Sequence, residues 1–151
     1  MCPSFVFAID VSFGELVAKP YEEKDMLIVS KGIEIPDGYI TIGGDFGLRA
    51  FILKTDKTGT ILWKNTSELF FMYRDVVRGN DGNYVVAAGC HDASHACLLK
   101  FNDKGELLWN QRYGTVSRGD VFNSILNDTD GYIVTGTVYN ENDSYLLCRQ
   151  K

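Results

Sequence analysis

Residues 90–97 carry the chain's densest ligand chemistry. Cys90-His91-Asp92-Ala93-Ser94-His95-Ala96-Cys97 holds both histidines of the protein and two of its four cysteines. Thiolate and imidazole are the donors zinc prefers, and a loop joining two antiparallel strands can converge them. Cys90, His91, His95 and Cys97 are therefore the candidate metal ligands. The spacing matches no standard zinc module. Cys97 also falls at a repeat position held elsewhere by Phe5, Phe51 and Tyr145, where a reduced cysteine acts as a small apolar residue. The plainer reading is a structural loop with reduced thiols, ahead of zinc and then of a Cys90–Cys97 disulfide. Four cysteines at irregular spacing do not form a disulfide framework.

Other reactive-looking groups reduce to turn chemistry. Asp128-Thr129-Asp130-Gly131 and Asn140-Glu141-Asn142-Asp143 are rich in oxygen donors, but neither has a full calcium-loop spacing. Asp and Asn also favour turns through their own side-chain hydrogen bonds. Arg118-Gly119-Asp120 is a three-residue signal in a loop. A nucleophilic triad would need one of two histidines that sit together in residues 90–97. There is no glycine-rich phosphate loop opening a helix, and the sequence offers no helix to open. No catalytic residues and no cofactor are expected.

The elements that must position these groups are repeats. Residues 37–43 read DGYITIG, residues 81–89 DGNYVVAAG and residues 130–136 DGYIVTG. Each is a turn dipeptide, a tyrosine and an apolar run closing on glycine. A second unit recurs out of phase. Phe51-Ile52-Leu53-Lys54-Thr55-Asp56 turns at Gly59 into a strand carrying Trp63. Cys97-Leu98-Leu99-Lys100-Phe101-Asn102 turns at Gly105 into a strand carrying Trp109. Residues 5–18 repeat this unit, and residues 145–149 give its first half. Apolar runs joined by short polar turns with glycine read as β-hairpins, with a further strand before each Asp-Gly turn. The unit is a four-stranded antiparallel meander of propeller-blade size.

The predicted architecture is all-β: a propeller-like array of four-stranded blades, about three and a partial one, not a closed ring by itself. The divisions are a partial blade at residues 4–21, blades at 26–65 and 71–113, and an incomplete blade at 120–150. Both incomplete units carry a copy of the third strand. Either the functional object is a longer propeller, or copies associate through open blade edges.

The net charge of −5 argues against a nucleic-acid partner, which calls for a basic face. No apolar segment is long enough to span a membrane, and Met1-Cys2-Pro3-Ser4 shows no signal peptide.

Asp56, Thr58, Gly59 and Trp63, with Asn102, Gly105 and Trp109 more loosely, resemble the repeat of tryptophan-docking, quinoprotein-like propellers. At the start, Asp10 and Gly14 match but Ala18 replaces the tryptophan. The turn at Asp56 is one residue shorter than the quinoprotein pattern. With the Asp-Gly-Tyr strand, it is more similar to the repeats of bacterial secreted or surface-associated propellers. The resemblance covers most of the chain. It implies that Trp63, Trp109, Gly59 and Gly105 are structural, locking neighbouring blades, and that the parent protein is exported or at the cell surface. The expected function is a non-catalytic binding or scaffolding module with a protein or carbohydrate ligand. The alternative is part of an enzymatic propeller, quinoprotein-like or hydrolytic. The binding loops are expected near Arg74-Asp75 and Gly119-Asp120.

Overall fold

The computed structural model describes residues 5–10, 15–20, 27–45, 49–90, 95–114, 119–139 and 144–150. These form strands and no helix. Strands β1 (Phe5–Asp10) and β2 (Glu15–Pro20) make a two-stranded sheet. Strands β3 (Leu27–Ile35), β4 (Gly38–Asp45), β5 (Ala50–Asp56) and β6 (Ile61–Ser67) make a four-stranded one. A second four-stranded sheet contains β7 (Phe70–Arg78), β8 (Tyr84–Cys90), β9 (Ala96–Phe101) and β10 (Leu107–Tyr113). The last holds β11 (Val121–Asp128), β12 (Gly131–Tyr139) and β13 (Ser144–Gln150). Every pairing is antiparallel and joins strands adjacent in sequence. The fold is an all-β, propeller-like array of blades, with no sheet closed into a barrel.

Burial follows position in the blade. The two middle strands are apolar along nearly their whole length, as sheets covered on both faces require. In β8 every residue but Gly89 is buried, and in β5 every residue but Asp56. The fourth strands β6 and β10 have no buried residue. Alternation along β8 divides its side chains between two cores. Tyr84, Val86, Ala88 and Cys90 face Ile35, Ile40, Ile42 and Ile52 of the preceding blade. Val85 and Ala87 face Phe122, Ile125 and Val134 of the following one. Burying an isoleucine, valine or leucine contributes roughly 1.5–3 kcal/mol, so each interface between blades is a core in its own right. The first strands β3, β7 and β11 lie beside one another, which makes them the inner strands of the array.

The glycine turns are near copies. Gly59 and Gly105 both adopt φ 80°, a left-handed conformation that costs glycine little. In the first, the Asp56 carboxylate accepts from the N–H groups of Thr58 and Thr60 at 2.8 and 2.9 Å. In the second, the Asn102 side chain accepts from those of Lys104 and Glu106, each at 2.9 Å. Asp and Asn recur here because their short oxygen reaches donors two and four residues on.

Candidate functional site: a polar row on the inner strands

Each inner strand carries a β-bulge at the same level, and β7 has a second one between Phe70 and Met72. Pairing of β3 with β4 slips between Val29 and Lys31, leaving Ser30 as the extra residue. Pairing of β7 with β8 slips between Tyr73 and Asp75, leaving Arg74. Pairing of β11 with β12 slips between Phe122 and Ser124, leaving Asn123. A bulge re-aims side chains and recurs beside functional sites. The extra residues Ser30, Arg74 and Asn123 are all exposed, Ser30 within a stretch of β3 where Ile28, Val29 and Gly32 are exposed as well. None of the three side chains is bonded to another described residue.

The residues next to them hold the row together. Lys31 of β3 pairs with Asp75 of β7 at 2.5 Å. The other oxygen of Asp75 accepts from the Ser124 hydroxyl at 2.8 Å and the Ile125 N–H at 2.9 Å, both in β11. The Val76 N–H donates to the first oxygen at 2.8 Å. One carboxylate thus ties three consecutive blades. Burial alone would raise its pKa, but Lys31, the two N–H groups and Ser124 outweigh it, holding Asp75 below the usual carboxylate range. Both oxygens of Asp75 are taken up by these donors.

A second polar seam runs between blades further out. Lys54 is buried and bridges Asp37 of its own blade and Asp103 of the next, each at 2.8 Å. Tyr84 also donates to Asp103, at 2.7 Å. Burial, then the hydrogen bond to Asp103, pushes the Tyr84 hydroxyl up to about 12. One blade on, Lys100 pairs with Asp81 at 2.6 Å, and chiefly for that reason the Asp81 carboxyl is lowered to about 2. This seam is structural in character, its cations and anions satisfying one another.

The candidate lock residues sit at these same interfaces. Trp63 of β6 donates from Nε1 to the Asp103 carbonyl at 2.9 Å and lies against Gly105. Its ring centroid is 6.4 Å from that of Tyr84. Trp109 packs, half-buried, against the core containing Val85, Leu98 and Ile125.

At the cysteine–histidine segment the structure differs from the expectation of reduced thiols. Cys90 and Cys97 are joined by a disulfide, with Cα atoms 5.9 Å apart, inside the range a bridge can span. The reason is topological. Cys90 closes β8 and Cys97 lies one residue into the neighbouring β9, while the Cys90 N–H donates to the His95 carbonyl at 2.9 Å. His91 lies outside the described residues. Among the described residues no group of three or more His, Cys, Asp or Glu is placed to hold a metal, and a disulfide supplies no thiolate. Both cysteines are buried. Neither should alkylate until the chain is unfolded and reduced, which mass spectrometry after iodoacetamide treatment checks. Cys97→Ala is expected to cost about 2 kcal/mol, the stabilisation of closing so short a loop.

Arg74 and Asp75 lie within β7 rather than in a loop, because the bulge breaks the alternation that marks a strand. Gly119 and Asp120 do precede β11, with Asp120 buried. Arg118 and residues 140–143 are outside the described residues. Asp128 to Gly131 form the tight β11–β12 turn, with the Thr129 N–H donating to the Asp128 carboxylate at 2.8 Å. Among the described residues no helix is long and apolar enough to cross a membrane.

No protein-family model matches the chain, and no curated protein matches it. Among solved structures, the chain is similar to a protein of unknown function from Bacteroides caccae, with 19% sequence identity and a TM-score of 0.58. The match covers 98% of this chain and 54% of that one. At that identity the likeness carries the fold alone. The chain spans about half the length of the solved structure it matches.

The polar row has a signal in the sequence that lies outside the turn and tryptophan motifs. Lys31, Asp75 and Ser124 each stand six residues before the aspartate of an Asp-Gly turn, at Asp37, Asp81 and Asp130. Each is preceded by a polar residue and followed within two positions by apolar ones. Aligning the repeats on their turns superposes the row.

Proposed function

We propose that the chain is a non-catalytic binding or scaffolding module within a larger or oligomeric β-propeller, and that it binds through the inner-strand row. The carrying observation is the set of exposed, unengaged side chains of Ser30, Arg74 and Asn123, presented by three equivalent bulges and braced by Lys31, Asp75 and Ser124. Their polar groups are exposed and bonded to no other described residue, while the backbone beneath is fixed on strands rather than loops, which favours a preorganised site. The carboxylate in the row is saturated by its donors, which favours binding over catalysis. The larger context is supported by the open edges of the sheets, none of which closes on itself. It is supported also by the greater length of the similar solved structure. Export of the parent protein rests on the repeat resemblance to bacterial secreted propellers.

Glycan and peptide arrays probed with the wild-type chain, Arg74→Ala and Asn123→Ala test the reading. The expected result is a discrete ligand set whose signal falls at least tenfold in both variants while their melting temperatures stay within about 2 °C of wild type, as exposed substitutions should. Arrays without a hit, hits indifferent to both substitutions, or turnover of the bound ligand would overturn it.

A further inference from the structure

Resting on the binding role of the inner row, we propose that its ligand is a hydroxylated carboxylate of the sugar-acid class, with the carboxylate seated on Arg74. Among the described residues the row has one charge without an ion-pair partner. Lys31 and Asp75 cancel each other, leaving the exposed guanidinium of Arg74 as a net charge of about +1 at the row. A singly charged anion matches this. A dianion such as sulfate would leave one charge unmet on a chain whose net charge is already −5.

The guanidinium is also a planar fork whose paired N–H groups match the two oxygens of a carboxylate. The residues on either side of it have a different character. Ser30, one blade before, and Asn123, one blade after, are neutral and both donate and accept hydrogen bonds. Hydroxyl groups do the same, so the hydroxyl-bearing skeleton of a carboxylate seated on Arg74 has a chemically matched neighbour on the blade to either side. The three positions are equivalent in their blades, so the donors come from one level of the array. An aromatic or aliphatic acid would satisfy only the central group and leave the flanking ones to water.

Chemical-shift titration of the 151-residue chain with sodium D-glucuronate, D-glucose, sodium sulfate and a glutamate-rich peptide separates the cases. Glucuronate is expected to bind at least tenfold more tightly than glucose or sulfate, with perturbed amides centred on Ser30, Arg74 and Asn123. Arg74→Ala should cost glucuronate at least tenfold and leave glucose unchanged. Arg74→Lys should recover only part, because lysine keeps the charge without the fork. Ser30→Ala and Asn123→Ala should weaken glucuronate by several-fold each. Equal affinity for sulfate, tighter binding of the peptide, no binding of glucuronate, or indifference to Arg74→Ala would overturn the proposal. Binding of a neutral glycan that still depends on Arg74 and Asn123 would sink the sugar-acid assignment alone and leave the binding role standing.

Discussion

Replacing Asp75 with alanine is expected to cost about 3 kcal/mol of folding stability, the scale of removing one partner from a buried, multiply bonded charge. Four donors converge on this carboxylate from three strands. Lys31 loses least, since its side chain is 39% exposed and can return to water. The Ile125 N–H loses most. It is buried, and an unpaired buried donor costs about 1–3 kcal/mol by itself. Asp75→Asn keeps one oxygen for the Ile125 N–H but removes the charge, so about half the loss is expected. Urea denaturation of the three proteins reads both numbers. A cost below about 1 kcal/mol for Asp75→Ala would mean that the three inner strands are held by their cores alone.

The same carboxylate sets the direction of the pH response. A group whose folded pKa is depressed contributes stability above its unfolded pKa and loses it as pH falls through the folded value. Asp75, Asp37 and Asp103 are all lowered, and Asp81 stands at about 2. The wild-type chain should therefore hold its stability through neutral pH and lose it below about pH 4, as the seams between blades protonate. Asp75→Asn should show a smaller loss over that window.

How much was legible in the sequence depended on whether the information was local. The turns were legible because their chemistry lies within five residues. Asp56 or Asn102 supplies the acceptor and Gly59 or Gly105 the left-handed φ, so the repeats announced strand number and order. The bulges were not, because a bulge is a property of pairing between two strands. Arg74-Asp75 breaks an apolar run and reads as a loop, when in β7 it marks one extra residue against Ala88 and Ala87. The disulfide was obscured for a related reason. Cys97 reads as a core position, which it also is, and only the strand pairing shows Cys90 within reach of it. Alignment of Lys31, Asp75 and Ser124 on their turns was visible all along. A lysine, an aspartate and a serine share no residue type, and their common role is to bond one another across blades.

Trp63→Ala and Gly105→Ala should each destabilise the chain by about 3 kcal/mol, and the two costs should overlap. The indole of Trp63 rests on the backbone of the next blade's turn, and only glycine leaves room for it. A β-carbon at position 105 would stand 2.6 Å from Trp63 Cε3 and 2.8 Å from Cδ2, closer than such atoms approach. The clash adds to the roughly 1–2 kcal/mol of holding a non-glycine residue in the left-handed region. Gly59→Ala isolates that second contribution. Its φ is also 80°, but the repeat position that would supply an indole to this turn is Ala18. About 1–2 kcal/mol is therefore expected there. In the Trp63→Ala background the clash at position 105 disappears, so Gly105→Ala should fall to the cost of Gly59→Ala. The double mutant would then be more stable than the sum of the single losses by roughly 1–2 kcal/mol, a coupling readable from chemical denaturation. Strict additivity would mean that the indole and the turn do not touch in solution, and the lock between the second and third blades would have to be sought in the seam of Lys54, Asp103 and Tyr84 instead.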